Sequence, residues 1–328
     1  MELPFGVTIL FGSLFSLALT LNELLTGGSD PLTVLVWEWP DGQTPDLSGD
    51  VCSQLFGLVD CRLTTDRNVY GWAEVAVFHH RELRHSPPPK AKGHSGQSWV
   101  WVSLECPEHT KGNGSEADWT WVMTYRRNSD IFMPYGKLVP RPPGDGEVDI
   151  PEKSGLVVWV VSHFRRTQAR AKAYYELSKH IKVDVFGRAA GRPLAPEDLL
   201  PTISRYRFYL AFENALHQDY ITEKLWRNAL QAGSVPIVLG PPRDNYEAFL
   251  PGGAFLHLDD FPSIQDLAHF LLNMEEDIYR GFFAWRKHHA VKTYQDWRER
   301  FCTICSHYPR LKQKGPGPKG GSSVMDTA

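Results

Sequence analysis

Residues 156–162, LVVWVVS, contain almost no position that suits water, so a strand built from them must be covered on both faces. Comparable short apolar runs recur, each bounded by polar or turn residues. LTVLVWEW (32–39), VAVF (75–78), WVWVSL (99–104) and IFMPY (131–135) fill the first half. VDVF (183–186), FYLAF (208–212), VPIVL (235–239) and AFLHL (254–258) follow in the second. Segments of helical spacing separate several of these: TQARAKAYYELSKH (167–180) and DYITEKLWRNALQAG (219–233). Strand–helix–strand alternation of this kind predicts an α/β, doubly wound parallel sheet. VPRPPGDGEVDIPEKSG (139–155), with four Pro and three Gly, interrupts the pattern and predicts an inter-domain linker. The expectation is two Rossmann-like domains, 32–138 and 156–308, with a cleft between them, and a disordered Gly/Ser/Lys-rich tail at 309–328.

In open parallel sheets ligands bind beyond the C-terminal strand ends, so the residues after each apolar run are candidate site residues. VAVF is followed by His79, His80, Arg81 and Glu82, and WVWVSL by Glu105. LVVWVVS is followed by His163, with Arg170 in the next helical segment, and FYLAF by Glu213 and Asn214. In DYITEK (219–224), Asp219 or Thr222 suits the helix cap, with Ile221, Leu225 and Ala229 on the apolar stripe and Gly233 closing it. A lysine in a first turn opposes the helix dipole. Lys224 is therefore either a snorkelling surface side chain or a ligand for a phosphate seated at the helix start. Glu223 beside it offers an acceptor for a ribose hydroxyl, and the set suits a nucleoside diphosphate without being unique to one.

From Leu3 to Leu21 there is no charged residue, about the 20 needed to span a bilayer and long for a signal-peptide core. Residues 1–21 are expected to form a signal anchor and 22–31 a short stem; a cleaved signal peptide is the alternative. Either places the rest in the secretory pathway. Cys52 and Cys61 lie close together, as do Cys302 and Cys305, which predicts two local disulfides in an oxidising lumen. The nine-residue spacing of the first pair fits a zinc knuckle badly. Cys106 is left over, and Asn113-Gly114-Ser115 is a glycosylation sequon. A formal net charge of −3 argues against a general nucleic-acid surface.

FENALHQDYITEKLWRNALQAGSVPIVLG (212–240) resembles the donor-binding signature of the α1,3-fucosyltransferases, inverting enzymes that use GDP-fucose. LVWEWP (35–40), VFHHREL (77–83), YRRNSDIFMPYGKL (125–138), KVDVFGRAAGRPL (182–194) and the CTIC pair extend the resemblance over about 32–308. VFHHREL, FGRAAGRPL, GPPRDNYEAF and DWRERFCTIC look most like the leukocyte-type branch, which makes sialyl Lewis x. The resemblance implies a GT-B-like pair of Rossmann-like domains and a Golgi type II membrane protein with its catalytic region luminal. Glu105, in SLECPEHT, matches the general base; without the motif it would be an ordinary strand-end carboxylate. Arg170 and Lys224 match the diphosphate ligands, while Asn214, Tyr220 and Glu223 match donor-site positions, Glu223 on the ribose. Gln43 and Tyr135 look like acceptor contacts, and the HHR form at Arg81 goes with α1,3 linkage. No D-x-D metal signature is present, so no obligatory metal is expected. The implied partners are GDP-fucose and N-acetyllactosamine or sialyl-lactosamine chains on glycoproteins and glycolipids. Arg126 and Arg127 are either sialate contacts or a solvated face.

Departures from the pattern are specific. LAPEDLL (194–200) stands where the leukocyte branch has a further Cys pair, and His163 replaces an Asn. Cys106 beside the base would be prone to oxidation if exposed. These departures and the Gly-rich tail leave open a catalytically impaired glycan- or nucleotide-binding relative. A two-domain glycosyltransferase using another sugar nucleotide is the second alternative.

Overall fold

The computed structural model describes residues 30–110, 119–142 and 149–315. The expected anchor, stem and Asn113 sequon lie outside these residues. No described helix is long and apolar enough to cross a membrane.

Six parallel strands make the first sheet: β1 (Leu32–Val36), β2 (Cys61–Thr64), β3 (Val75–His79), β4 (Ser98–Ser103), β5 (Trp121–Thr124) and β6 (Ile131–Phe132). Their order is β2-β1-β3-β4-β5-β6. Every residue of β3 and β4 is buried, because alternate side chains enter separate cores on the two faces. Val75, Val77, Val100 and Val102 face a core that includes Phe301 and Ile304 of the C-terminal helix, Trp297–Lys314. Ala76, Phe78 and Trp99 face the opposite side, with Trp37, Tyr70 and Trp119 packed around them.

β7 (Gly136–Pro140) leads into the second half, whose sheet contains β8 (Gly155–Val160), β9 (Val183–Phe186), β10 (Tyr206–Phe212), β11 (Val235–Leu239) and β12 (Leu256–His257). Its order, β12-β11-β10-β8-β9, repeats the logic of the first: the second strand lies on one side of the first and the later strands on the other. Phe208, Leu210 and Phe212 face a core with Leu177 of helix Ala169–Leu177 and Leu267 of helix Ile264–Leu272. Tyr209 and Ala211 face Leu225, Trp226, Ala229 and Leu230.

The chain then returns. β13 (His289–Thr293) pairs antiparallel with β7, and the C-terminal helix closes the first half, not the second. Val139 and Pro140, expected in the linker, therefore belong to a strand. The helix also continues to Lys314 with Leu311 buried, so the expected tail from 309 begins as ordered helix.

The disulfides correct the expectation of local pairing. Cys52 bonds Cys302 and Cys61 bonds Cys305, with Cα–Cα separations of 5.5 and 5.8 Å. Residues three apart share a helix face. Cys302 and Cys305 accordingly both point at helix Val51–Phe56 and β2, which carry Cys52 and Cys61.

The DYITEK segment also differs from expectation. Asp219 is not a cap; it adopts a left-handed backbone, φ 63°, and is buried. Its carboxylate accepts from the Arg127 N–H and Nε at 2.9 Å and from Asn245 Nδ2 at 2.8 Å. The helix proper runs Lys224–Gln231 and is π-wound, a rare geometry frequent at functional sites. Asn228 points into the interior, where its Nδ2 donates to the Tyr209 hydroxyl at 3.1 Å.

Candidate active site

The switch point of the second sheet lies between β8 and β10, the place where such folds bind ligands. A cavity of about 570 Å³ opens there. Ser162 and His163 follow β8, Gly187 follows β9, Asn214 follows β10, and Glu223 and Lys224 begin the π-helix. Arg170 enters from helix Ala169–Leu177. Gly187 has φ 100°, and a Cβ there would lie 2.3 Å from the Val161 carbonyl oxygen, so only glycine fits this wall.

Lys224 is answered within the protein. Its Nζ lies 3.0 Å from the buried Glu213 carboxylate, 2.7 Å from Thr222 Oγ1 and 3.3 Å from Glu223 Oε1. Burial disfavours its charge, but Glu213 and Glu223 outweigh that and hold its pKa above the ordinary lysine value. Glu213 is pushed up by burial, with Lys224 pulling the other way; it also accepts from the Thr222 N–H at 2.8 Å and hydroxyl at 2.9 Å. Arg170 is buried, which lowers its pKa, and donates Nε to Gln168 at 3.1 Å and Nη2 to the His163 carbonyl. The Asn214 side-chain Oδ1 has no hydrogen-bond partner among the described residues. Two cations, an amide and a half-exposed Glu223 thus converge on one cavity. Tyr220 does not line it: the ring is buried between Tyr125 and Tyr135.

The first sheet has its own switch point between β1 and β3, and a second cavity of about 320 Å³ lies against it. Asp41, His79, His80, Arg81, Glu105 and Tyr135 are among its lining residues. Arg227 of the π-helix lines both cavities, so they are two chambers of one cleft. Arg227 itself donates to Asn228 Oδ1 and Gln295 Oε1, each at 3.2 Å.

Glu105 sits just past β4, its N–H donating to Ser103 Oγ at 3.1 Å. One carboxylate oxygen pairs with Arg81, and the other is 3.3 Å from His109 Nδ1. Arg81 also bonds Asp41 at 3.0 Å; burial disfavours its charge, yet Glu105 and Asp41 raise its pKa. The Tyr135 hydroxyl donates to the Leu104 carbonyl at 2.5 Å. Gln43 is exposed on the turn after β1 and does not line the cavity, although its neighbour Asp41 does.

Cys106 is buried, and burial followed by Glu108 pushes its thiol up to about 12; it is therefore not the exposed, oxidation-prone group considered from sequence. Arg127 is held by Asp219 and lies over the Phe249 ring. Sequence reasoning did not single out His109, Arg227, Asp41 or Arg300. Of these, only Arg227 carried a signal, lying one residue past the apolar Trp226 on the helix that starts at Lys224. Among the described residues, no three His, Cys, Asp or Glu side chains cluster as metal ligands.

Two family models match the chain: "Fucosyltransferase, N-terminal" over residues 29–136 and "Glycosyltransferase family 10 (fucosyltransferase) C-term" over 150–317. The chain is 50% identical over 323 residues to Alpha-(1,3)-fucosyltransferase 7 of Homo sapiens, spanning 93% of this chain and 92% of that one. It is 51% identical to the Rattus norvegicus protein of the same name, over 93% of this chain and 83% of the other. A crystal structure of an α1,3-fucosyltransferase with GDP-fucose shares the fold at TM-score 0.56 and 16% identity, over 87% of this chain and 92% of that one.

Proposed function

This chain belongs to the glycosyltransferase family 10 fucosyltransferases, and we propose that it is an inverting α1,3-fucosyltransferase. GDP-fucose is the donor, and the acceptor is the N-acetylglucosamine 3-hydroxyl of lactosamine chains, sialylated on their galactose. The single observation that carries this reading is the two-chambered cleft, with Arg170 and Lys224 in one chamber and Glu105 in the other.

The chemistry follows from that division. GDP lies in the larger chamber with its diphosphate against Arg170 and Lys224 and its ribose towards Glu223. Breaking the fucose–phosphate bond sends the electron pair to the diphosphate, and fixed cations aimed at that developing charge stabilise it without reorganising. Glu105, on the acceptor side, takes the hydroxyl proton as the oxygen bonds the sugar carbon. Attack opposite the leaving group converts a β-linked donor into an α-linked product. Arg81 and His109 orient the Glu105 carboxylate, and the longer His109 contact is the one that an acceptor hydroxyl displaces. The oxidising compartment suggested by two disulfides and the apolar segment 3–21 support a Golgi membrane protein of type II topology; protease protection of the catalytic region in intact vesicles tests that placement.

Incubation with GDP-fucose and neutral or sialylated lactosamine decides the activity, and absence of fucose in both products overturns it. Glu105→Gln should cut turnover by about 10²-fold or more while GDP still binds.

A further inference from the structure

Among the described residues, two buried side chains of the smaller chamber, those of Arg300 and His80, carry nitrogens with no hydrogen-bond partner. Arg300, on the C-terminal helix, is 4% exposed. Its Nη2 donates to the Tyr294 carbonyl, and its guanidinium lies 5.7 Å from the Tyr135 ring centroid and 5.3 Å from that of Trp297. Among the described residues its Nη1 has no hydrogen-bond partner. His80 is 1% exposed, touches the His79 and Trp101 rings, and leaves both Nδ1 and Nε2 without a partner. Both residues line the cavity that holds Glu105. Unpaired buried polar groups are costly, and two in one cavity wall point to a ligand that completes them.

We propose that Arg300 and His80 together bind oxygens of the acceptor sugar, with Arg300 donating to a carbonyl or hydroxyl and His80 holding one hydroxyl. The donor and acceptor inventory selects the ligand. With Nη2 committed to Tyr294, Arg300 offers a single unpaired terminal nitrogen and not the two-pronged fork that grips a carboxylate. A neutral imidazole has one donor and one acceptor nitrogen, which matches a hydroxyl, itself both donor and acceptor, and not an acceptor-only anion. The chamber beside the base therefore takes the neutral part of the acceptor. Tyr135 cannot substitute as a donor there, because its hydroxyl proton is given to Leu104. This inference rests on the fucosyltransferase reading for what the ligand is, and on the two side chains for where it binds.

The test uses the full chain and the variants Arg300→Met, Arg300→Lys, His80→Phe and His80→Asn, each checked for an unchanged melting transition. Acceptor and donor KM are measured, together with direct binding of N-acetyllactosamine to the GDP-loaded protein by saturation-transfer NMR. Arg300→Met and His80→Phe should each raise the acceptor KM about 10- to 100-fold, with the GDP-fucose KM within about twofold of wild type. Arg300→Lys and His80→Asn, which keep a donor, should recover part of the loss. Unchanged acceptor KM and unchanged lactosamine saturation transfer in both disruptive variants overturn the proposal while leaving the activity intact. If wild type transfers no fucose, the activity reading fails by itself. The NMR experiment then still decides: loss of lactosamine signal in the variants supports the assignment and its retention overturns it. Should Arg300→Met fail to fold, His80→Phe and His80→Asn carry the same comparison.

Discussion

Replacing Glu213 with Gln isolates the charge that keeps Lys224 in place. Glu213 is 1% exposed and Lys224 17%, with 3.0 Å between them. At an effective dielectric of about 20, a pair at this distance attracts by roughly 5 kcal/mol before desolvation is counted. Removing one partner of a buried pair costs about 3–5 kcal/mol in practice. Gln keeps an oxygen for the Thr222 N–H and hydroxyl, so the loss is one of charge more than of hydrogen bonds. Glu223 remains at 3.3 Å but is 44% exposed and screened. A loss of about 3 kcal/mol corresponds to a Tm about 4–5 °C lower for a chain of this size. The diphosphate of GDP brings the missing negative charge to the same ammonium. Thermal melts with and without GDP should therefore show a larger GDP-induced rise in Glu213→Gln than in wild type. A Glu213→Gln, Lys224→Met double variant should regain most of the lost stability and lose most of the GDP effect. A GDP shift in Glu213→Gln equal to or smaller than that of wild type would refute the argument that protein carboxylate and nucleotide compete for one cation.

Three further outcomes follow from single features. Burial, with His79 and Arg81 nearby, lowers the His80 pKa to about 3, below its unfolded value of 6.5. Between those values the unfolded chain binds the extra proton, so stability falls as pH is lowered from 6.5; at pH 5 His80→Asn should recover up to about 2 kcal/mol relative to wild type in paired denaturant melts. Gly187→Ala should destabilise by more than about 1 kcal/mol and weaken GDP binding, because the new Cβ meets the Val161 carbonyl in the donor wall; calorimetry with GDP reads both. Cys302→Ser opens a 250-residue loop, whose closure is worth about 5 kcal/mol by chain-entropy reasoning. Because Cys61–Cys305 closes nearly the same loop, either single serine variant should cost well under half of what Cys302→Ser, Cys305→Ser costs together, measured as denaturant midpoints.

Much of the fold is legible in the chain because doubly covered strands have few disguises. VAVF, FYLAF and VPIVL fall within β3, β10 and β11 and WVWVSL overruns β4 by one residue, and of the polar residues after these runs His79, His80, Arg81, Glu105 and Asn214 line the cleft. CRLT of β2 and HAVKT of β13 escape the same reasoning: the first alternates over only four residues, and the second is half-exposed throughout. Helical periodicity of 3.6 could not anticipate the π-winding of Lys224–Gln231. Lys224 shows a subtler limit. Its conflict with the helix dipole suggested a surface side chain or a phosphate ligand, and did not reveal the carboxylate nearest to it, Glu213, eleven residues earlier and brought alongside by β10. Arg300 carries no local signal in the sequence. Its burial depends on that helix folding back across the first sheet, a contact between residues far apart in sequence.

That fold-back has a consequence for how the molecule is made. Cys52 and Cys61 emerge from synthesis with their partners still 250 and 244 residues away. At ordinary elongation rates the wait is on the order of tens of seconds, long enough for thiols to react under the oxidising conditions that the native disulfides require. The only bond then open to them within the chain, apart from Cys106, is with each other. The local pairing suggested by their spacing thus competes with the native one in the nascent protein, and reaching the native pattern from it requires thiol exchange with the last helix. The donor half, complete in sequence before that helix appears, can fold first, and the acceptor half must wait for the end of the chain.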